Sequence, residues 1–345
     1  MPQLVNKDIT ILQTFFEAMS TEDKETQMSV QEALSMMAPA FKAMDNKNLK
    51  MIEALVATYI EKNEHQVRQV SVQYAGEVFP PSHVPSKFVL LLGAGDVRDE
   101  VKRDAMTHLY GTVQKSHGSD SSDTKGKLLL PDFLEMTRMV IEKANMRIKT
   151  QQKVVIGQYT IPFTPAVFTE VLNYLRMCLL YNAGVVPHLD MLRNAQTEAT
   201  KVFEYISQFV VQDKSKRELF MNLIHLNEIF LLANQGTPQA QSLLQLLGCS
   251  PKEQWCLDFQ TKMTWFKSLL HNTKEDFREV SAQIYGQVAS SFSNGPDYQQ
   301  CIIELTKGFK DKQLEFQHGA LLALAFTISP KDVHSLDEYN YKESV

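Results

Sequence analysis

The sequence is poor in cysteine, and its few cysteines are not arranged to bind a metal. There are four in 345 residues, and no two form a Cys-x-x-Cys pair: Cys178, Cys249, Cys256 and Cys301. Metal sites need closely spaced Cys or His ligands, which this sequence does not provide. Each cysteine lies in or beside an apolar helical run, which favours reduced thiols in a cytosolic or nuclear protein. We therefore expect no metal site, no cofactor and no disulfide framework.

Long hydrophobic runs are also missing. The longest apolar stretches, such as residues 88–92, are far shorter than the ~20 residues that span a bilayer. Residues 1–8 are too polar to provide the apolar segment of a signal peptide. These observations predict a soluble chain without direct membrane insertion.

Positive charge is in slight deficit. Lys and Arg number 35 against 40 Asp and Glu, which gives a net charge of −5. This balance argues against nucleic acid as a partner. The dense basic run at residues 214–217 is typical of a solvated helix start.

Apolar residues recur at intervals of three and four along most of the chain, and this spacing predicts an all-α protein. Six helices in three antiparallel pairs fill the first 110 residues, and the last of them is expected at 99–110. Pro131 is expected to open a helix, and Gly184 to cap the end of one. A single continuous helix is expected at 259–271.

Four segments follow from these patterns. Residues 1–113 and 131–329 are expected to form HEAT-like repeats. Between them, residues 114–130 are expected to form a mobile polar loop, because residues 115–126 contain no large apolar side chain. Residues 149–165 are β-prone, and either a hairpin or a long ordered crossover fits this irregular connector. Residues 330–345 form a polar tail.

A five-residue frame recurs on the second helix of several predicted pairs. It opens with a residue able to face the stack, continues with a long polar residue, and carries a small or β-branched residue four places on. The frames lie at residues 26–30, 67–71, 101–105, 277–281 and 316–320. The first three frames are 41 and 34 residues apart and the last two are 39 apart, near the roughly 40–47 residues of HEAT and armadillo repeats. The interval of 176 residues between the third and fourth frames would hold about four irregular units and the loop.

The frame predicts a HEAT/armadillo-like α-solenoid of antiparallel helix pairs. The small residue permits close approach of neighbouring helices. The long polar residue is expected to reach the acidic end of the preceding turn, as in Asp276 and Arg278. Unrelated amphipathic helices of a globular helical fold are the alternative.

Several strings, in the same order over residues 8–328, resemble one known family. They lie at residues 31–37, 78–86, 90–96, 174–187, 265–269 and 317–324. Together they resemble the proteasome-associated scaffold family, whose members are large HEAT-repeat adaptors. Those members are several times longer than this chain, so we expect a fragment, a short isoform or a gene-model piece. The strings resemble an internal or C-proximal portion of the family's members.

The resemblance implies a non-catalytic scaffold that binds core and regulatory-particle subunits of the proteasome and links them to other proteins. It implies a location in the cytoplasm and nucleus, and at the endoplasmic reticulum or endosomes through partners. A cargo-binding solenoid of the nuclear-transport type is the alternative among binding proteins. The partner-contacting residues are unknown from the sequence.

Two groups of residues imitate sites of chemistry. Gly93-Ala94-Gly95-Asp96 follows an apolar run, as a dinucleotide-binding loop would, and a nucleotide-dependent enzyme is the alternative of another class. The third glycine of that motif is replaced by Arg98, so we interpret the segment as a helix end with glycine caps. His117, Ser119 and Asp120 are the residue types of a hydrolase triad, but a flexible loop cannot hold an oriented base. We predict no catalytic residues and no enzyme.

Methionine and histidine within helices are expected to be structural. The 15 methionines, Met36 and Met37 among them, are expected to pack in the core, with an adaptable binding surface as the alternative. His225 and His318 are likewise expected to have structural roles.

Overall fold

The computed structural model describes residues 10–115, 129–185, 199–248, 250–292 and 295–328. The chain divides into two compact units, of which the first comprises residues 1–154 and 160–194 and the second residues 155–159 and 195–345. In the described ranges there are sixteen α-helices and one two-stranded hairpin. The prediction of an all-α protein is confirmed.

Eight helices belong to the first unit: α1 Thr10–Thr21, α2 Lys24–Met37, α3 Asn46–Tyr59, α4 His65–Glu77, α5 Val84–Ala94, α6 Asp99–Lys115, α7 Phe133–Lys149 and α8 Pro165–Asn182. A short 3₁₀ helix, Ala38–Ala43, follows α2. Side chains at five helix starts accept backbone N–H groups that would otherwise lack partners: Asp23, Asp45, His83, Asp132 and Thr164.

Two helix boundaries differ from expectation. Pro131 does not open α7, because Asp132 caps that helix by accepting the N–H of Glu135 at 2.9 Å. Helix α6 continues to Lys115, five residues beyond the expected end at Tyr110. At Gly184 the expected helix cap is present, with a positive φ of 77° that glycine adopts without strain. The polar segment 116–128 lies outside the described residues.

The second helices of successive pairs, α2, α4 and α6, pack side by side, with α3 and α5 packed behind α4. The frame residues Val67, Ser71, Val101 and Ala105 are all fully buried in this packing. A cluster of aromatic rings fills the space between α1, α3 and α4. The ring centre of Phe16 lies 4.9 Å from that of Tyr59 and 5.7 Å from that of Tyr74. The predicted stacking of helix pairs is thus observed within this unit.

The connector 149–165 forms a hairpin, one of its two expected alternatives. Its strands are β1, Val154–Ile156, and β2, Tyr159–Ile161, and Gly157 turns between them with a φ of 59°. Arg147 anchors the chain that follows the hairpin. Its guanidinium donates to the Pro162 carbonyl at 2.9 Å, lies 5.4 Å from the centre of the Phe163 ring, and pairs with Glu61.

The second unit contains α9 Ala199–Gln212, α10 Lys214–Ala233, α11 Thr237–Gly248, α12 Cys256–Gln260, α13 Met263–Leu269, α14 Glu275–Ala289, α15 Pro296–Gly308 and α16 Leu314–Thr327. The single helix expected at 259–271 is wrong, because α12 ends at Gln260. There the Thr261 hydroxyl donates to the Asp258 carbonyl at 2.7 Å, and the side chain of Lys262 turns to Glu228 on α10.

Small residues permit close helix approach in the second unit, as the frame predicts. Helices α11, α14 and α16 pack side by side, and Ser281 and Ala320 are fully buried between them. At Gly319 on α16, a β-carbon would lie only 2.5 Å from the Leu270 carbonyl oxygen. Only glycine fits that contact without a shift of backbone.

Candidate protein-binding surface

The long polar residue of the frame has a recurring contact. In four of the five frames it reaches back to a backbone carbonyl five or six residues earlier, in the turn that precedes its own helix. The contacts are Gln27 to Glu22, Arg68 to Lys62 and Asn63, Arg278 to Asn272 and Thr273, and Gln317 to Asp311, at 2.6 to 2.9 Å. Each such residue therefore ties the preceding turn to the first turn of its own helix.

The expected contact with an acidic side chain of the preceding turn is not observed in these four frames, because Glu22 and Asp311 accept through their backbone carbonyls. Arg68 instead pairs with Asp96 of the following turn, with Nε–Oδ2 and Nη2–Oδ1 distances of 2.6 and 2.9 Å. The two side chains are only 13% and 7% exposed, so this bidentate pair is almost dry. Arg278 shows the same direction, since its Nε contacts His318 of the next frame at 3.3 Å. These arginines therefore join consecutive helix pairs.

A row of polar side chains crosses α2, α4 and α6; we call it the polar ladder. Gln31 donates to Gln69 at 3.2 Å, and Gln69 donates to Asp104 at 2.8 Å. One turn further, the Ser35 hydroxyl donates to Gln73 at 2.7 Å. These side chains form hydrogen bonds from one helix to the next, and the bonds fix the relative positions of α2, α4 and α6.

Beside the ladder, α2 presents an exposed stripe of acidic and methionine side chains. Met28 is 69% exposed and Met36 is 77% exposed, and Glu32 lies between them, one turn from each. Glu25 and Glu22 continue the stripe towards the start of the helix. We call these five residues the acidic methionine ridge.

The ridge corrects the expectation that methionines pack in the core. That expectation holds for Met19, Met136 and Met177, which are fully buried, but not for Met28 and Met36. Leu34 is the buried side chain of α2, and Met28, Glu32 and Met36 recur at four-residue spacing away from it. A helical-wheel projection of the α2 sequence places Met28, Glu32 and Met36 on the side opposite Leu34, so their exposure could have been predicted from the sequence.

The sequence Gly93-Ala94-Gly95-Asp96 ends α5 as interpreted, and Gly95 is the residue that follows the helix. Both glycines are needed for packing, since a β-carbon on Gly93 would lie 2.5 Å from Val72 and one on Gly95 would meet the backbone of Val167. Asp96 is engaged by Arg68. The segment is therefore filled by protein contacts.

The other candidate residues have structural contacts or lie outside the described residues. The ring nitrogens of His225 lie 3.4 Å from a carboxylate oxygen of Glu228 and 3.8 Å from one of Asp258. His318 Nδ1 accepts a hydrogen bond from Arg278 Nε. His117, Ser119 and Asp120 fall outside the described ranges. Among the described residues, no group of three His, Cys, Asp or Glu side chains could hold a metal ion, and no helix is long and apolar enough to cross a membrane.

A lysine is buried on α5, the helix that packs against α4 and α6. Lys87 on α5 is 5% exposed, and its ammonium donates one long hydrogen bond, 3.4 Å, to the His108 carbonyl. Burial lowers the pKa of Lys87 from 10.5 to about 8. Below pH 8 the ammonium is charged in both the folded and the unfolded state, so the full desolvation cost of burying a charge lowers the free energy of unfolding. The unfolded chain keeps its proton up to about 10.5, so the free energy of unfolding rises with pH between these values.

We expect the variant Lys87→Met to be more stable than the parent at pH 7, by about 1 to 2 kcal/mol. The difference should shrink by pH 9.5, where the parent lysine is largely neutral in the folded state. Urea denaturation of both proteins at the two pH values measures this. A stability difference that does not change with pH would contradict the assignment.

These features define the class of the protein. Stacked helix pairs, joined by repeated polar contacts from one pair to the next, are those of a helical-repeat protein. Comparison with known proteins agrees with this class. The family model described as "ECM29, ARM-like repeats" matches residues 182–339, and that described as "Proteasome component ECM29, N-terminal" matches residues 1–93.

Two curated relatives match nearly the whole chain. The human "Proteasome adapter and scaffold protein ECM29" is 38% identical over 341 residues, which are 95% of this chain and 18% of the relative. The Drosophila melanogaster "Proteasome-associated protein ECM29 homolog" is 26% identical over 390 residues, covering 96% of this chain and 19% of the relative. The chain spans about a fifth of these relatives.

The chain belongs to the ECM29 family of ARM-like repeat proteins. The resemblance read from the sequence is confirmed, with one change. The match of residues 1–93 to the family's N-terminal model does not fit a C-proximal location for those residues.

Proposed function

We propose that this chain forms part of a non-catalytic scaffold that binds the proteasome and links it to other proteins. The observation that carries the proposal is the 38% identity, over 95% of the chain, to a human protein named as a proteasome adapter and scaffold. The stacked helix pairs support it, because repeat stacks present long surfaces suited to protein partners.

The proposal includes core and regulatory-particle subunits of the proteasome as partners. It places the chain in the cytoplasm and nucleus, and at the endoplasmic reticulum or endosomes through partners. The absence of enzymatic activity is part of the same proposal. It is supported by the engagement of Asp96 by Arg68 and by the packing around Gly93 and Gly95.

Affinity purification of the tagged 345-residue chain from cell lysate, followed by mass spectrometry, tests the partner. We expect proteasome subunits to be enriched over a tag-only control, with the same recovery in the presence and absence of ATP. Recovery of nuclear-transport factors without proteasome subunits would instead favour the cargo-binding alternative. Stabilisation by a dinucleotide in a thermal-shift assay would favour the enzyme.

A further inference from the structure

The acidic methionine ridge is an unusual surface for a repeat helix. Two large apolar side chains with 69% and 77% exposure share one stripe of a fourteen-residue helix. At 1.5 Å per residue, Met28 and Met36 are about 12 Å apart along the axis. Methionine is flexible and polarisable, and exposed methionines are common on surfaces that adapt to their partners.

The ridge is held firmly. Asp23 caps α2 by accepting the N–H groups of Glu25 and Thr26 at 3.0 and 3.1 Å. Beside the stripe, Gln31 and Ser35 on α2 form side-chain hydrogen bonds with Gln69 and Gln73 on α4 through the polar ladder. The helix therefore presents its stripe without rearrangement, which reduces the entropic cost of binding.

The charge of the ridge is negative. Residues 22–32 carry Glu22, Asp23, Glu25 and Glu32 against a single base, Lys24, and all five side chains are exposed. Hydrogen bonds from Thr26 hold the pKa of Asp23 below its ordinary value, so this carboxylate is ionised at neutral pH. Within the part of the chain that the structure describes, none of the five charged groups forms an ion pair.

We propose that the ridge binds a cationic amphipathic helix of a partner protein, with apolar residues over Met28 and Met36 and a Lys or Arg facing Glu32. Apolar side chains seven or eight residues apart on one face of a helix match the spacing of the two methionines. Uncompensated carboxylates beside them select a basic partner and accelerate its association. The inference rests on the proposed function only in taking the partner to be a protein.

The test uses two labelled eighteen-residue peptides of identical apolar pattern, one of leucine and lysine and the other of leucine and glutamate. Fluorescence anisotropy measures their binding to the 345-residue chain at low and moderate salt. We expect the Leu/Lys peptide to bind at least tenfold more tightly than the Leu/Glu peptide, and its affinity to fall with salt.

Three variants locate the site. The double variant Met28→Gln/Met36→Gln should weaken the Leu/Lys peptide at least tenfold. The double variant Glu25→Lys/Glu32→Lys should reverse the preference between the peptides. Met146→Gln is the matched control, because Met146 is 55% exposed on α7, away from the ridge, and it should bind as the parent does. Circular dichroism of each variant checks that it is folded.

Failure of the inference is distinct from failure of the proposed function. Absence of Leu/Lys binding, equal binding of both peptides, or equal weakening by Met146→Gln would overturn the inference, whatever proteasome subunits the chain recovers. Recovery of no proteasome subunits, with peptide binding and its dependence on Met28 and Met36 as expected, would overturn the proposed function alone.

Discussion

Replacement of Arg68 by alanine is expected to destabilise the first unit by about 3 to 5 kcal/mol, the cost of breaking a buried ion pair by removing one partner. Asp96 would keep only the N–H of Arg98, which it accepts at 2.8 Å, while its carboxylate stays buried. The Lys62 and Asn63 carbonyls would lose their donor as well. Thermal denaturation should show a lower transition, and hydrogen–deuterium exchange should accelerate in α4 and α5.

Arg103→Ala is the matched control for that variant. Arg103 is 73% exposed and lies 3.9 Å from Asp104, so its loss should change stability by about 0.5 kcal/mol or less. The double variant Arg68→Ala/Asp96→Ala should recover part of the loss, because no charge is then left unpaired. Equal effects of Arg68→Ala and Arg103→Ala would show that the pair with Asp96 does not join the two turns.

Gly319→Ala is expected to destabilise the second unit by about 2 to 3 kcal/mol, although alanine is the better helix former. The added methyl group would lie 2.5 Å from the Leu270 carbonyl oxygen and 2.9 Å from its β-carbon. Helix α16 would have to move away from Leu270. Chemical denaturation measures the loss.

Gly248→Ala provides the comparison, because a β-carbon on Gly248 at the end of α11 meets no atom within 4 Å. That variant should be neutral or slightly stabilised. If the two glycine variants had the same stability, the close approach of α16 to Leu270 would be wrong.

Most of the helices could be predicted from the sequence, because apolar spacing of three and four residues is a local property. The close-packing role of the small frame residue was also predictable, as Ser71, Ala105 and Ala320 show. The break between α12 and α13 was not, because apolar spacing continues through residues 259–271. It depends on the Thr261 hydroxyl and on Glu228, a partner from another helix that no periodicity reveals.

The candidate surface was largely beyond the sequence. Arg68 and Asp96 are separated by 28 residues, and no local sequence pattern around either residue indicates that the two form an ion pair. The exposure of Met36 was mispredicted because methionine composition does not say which face of α2 its neighbours cover. The family resemblance predicted a binding protein but could not indicate the ridge.

The polar ladder and the Arg68 pair have a mechanical consequence for a scaffold. Each contact joins one helix pair to the next along the first unit, over 28 to 38 residues of chain. Force applied between two partners held on different pairs would cross successive junctions in series, while the contacts at one junction share the load. The weakest junction then decides where the stack yields, and a partner that bridges the two pairs at that junction would strengthen it.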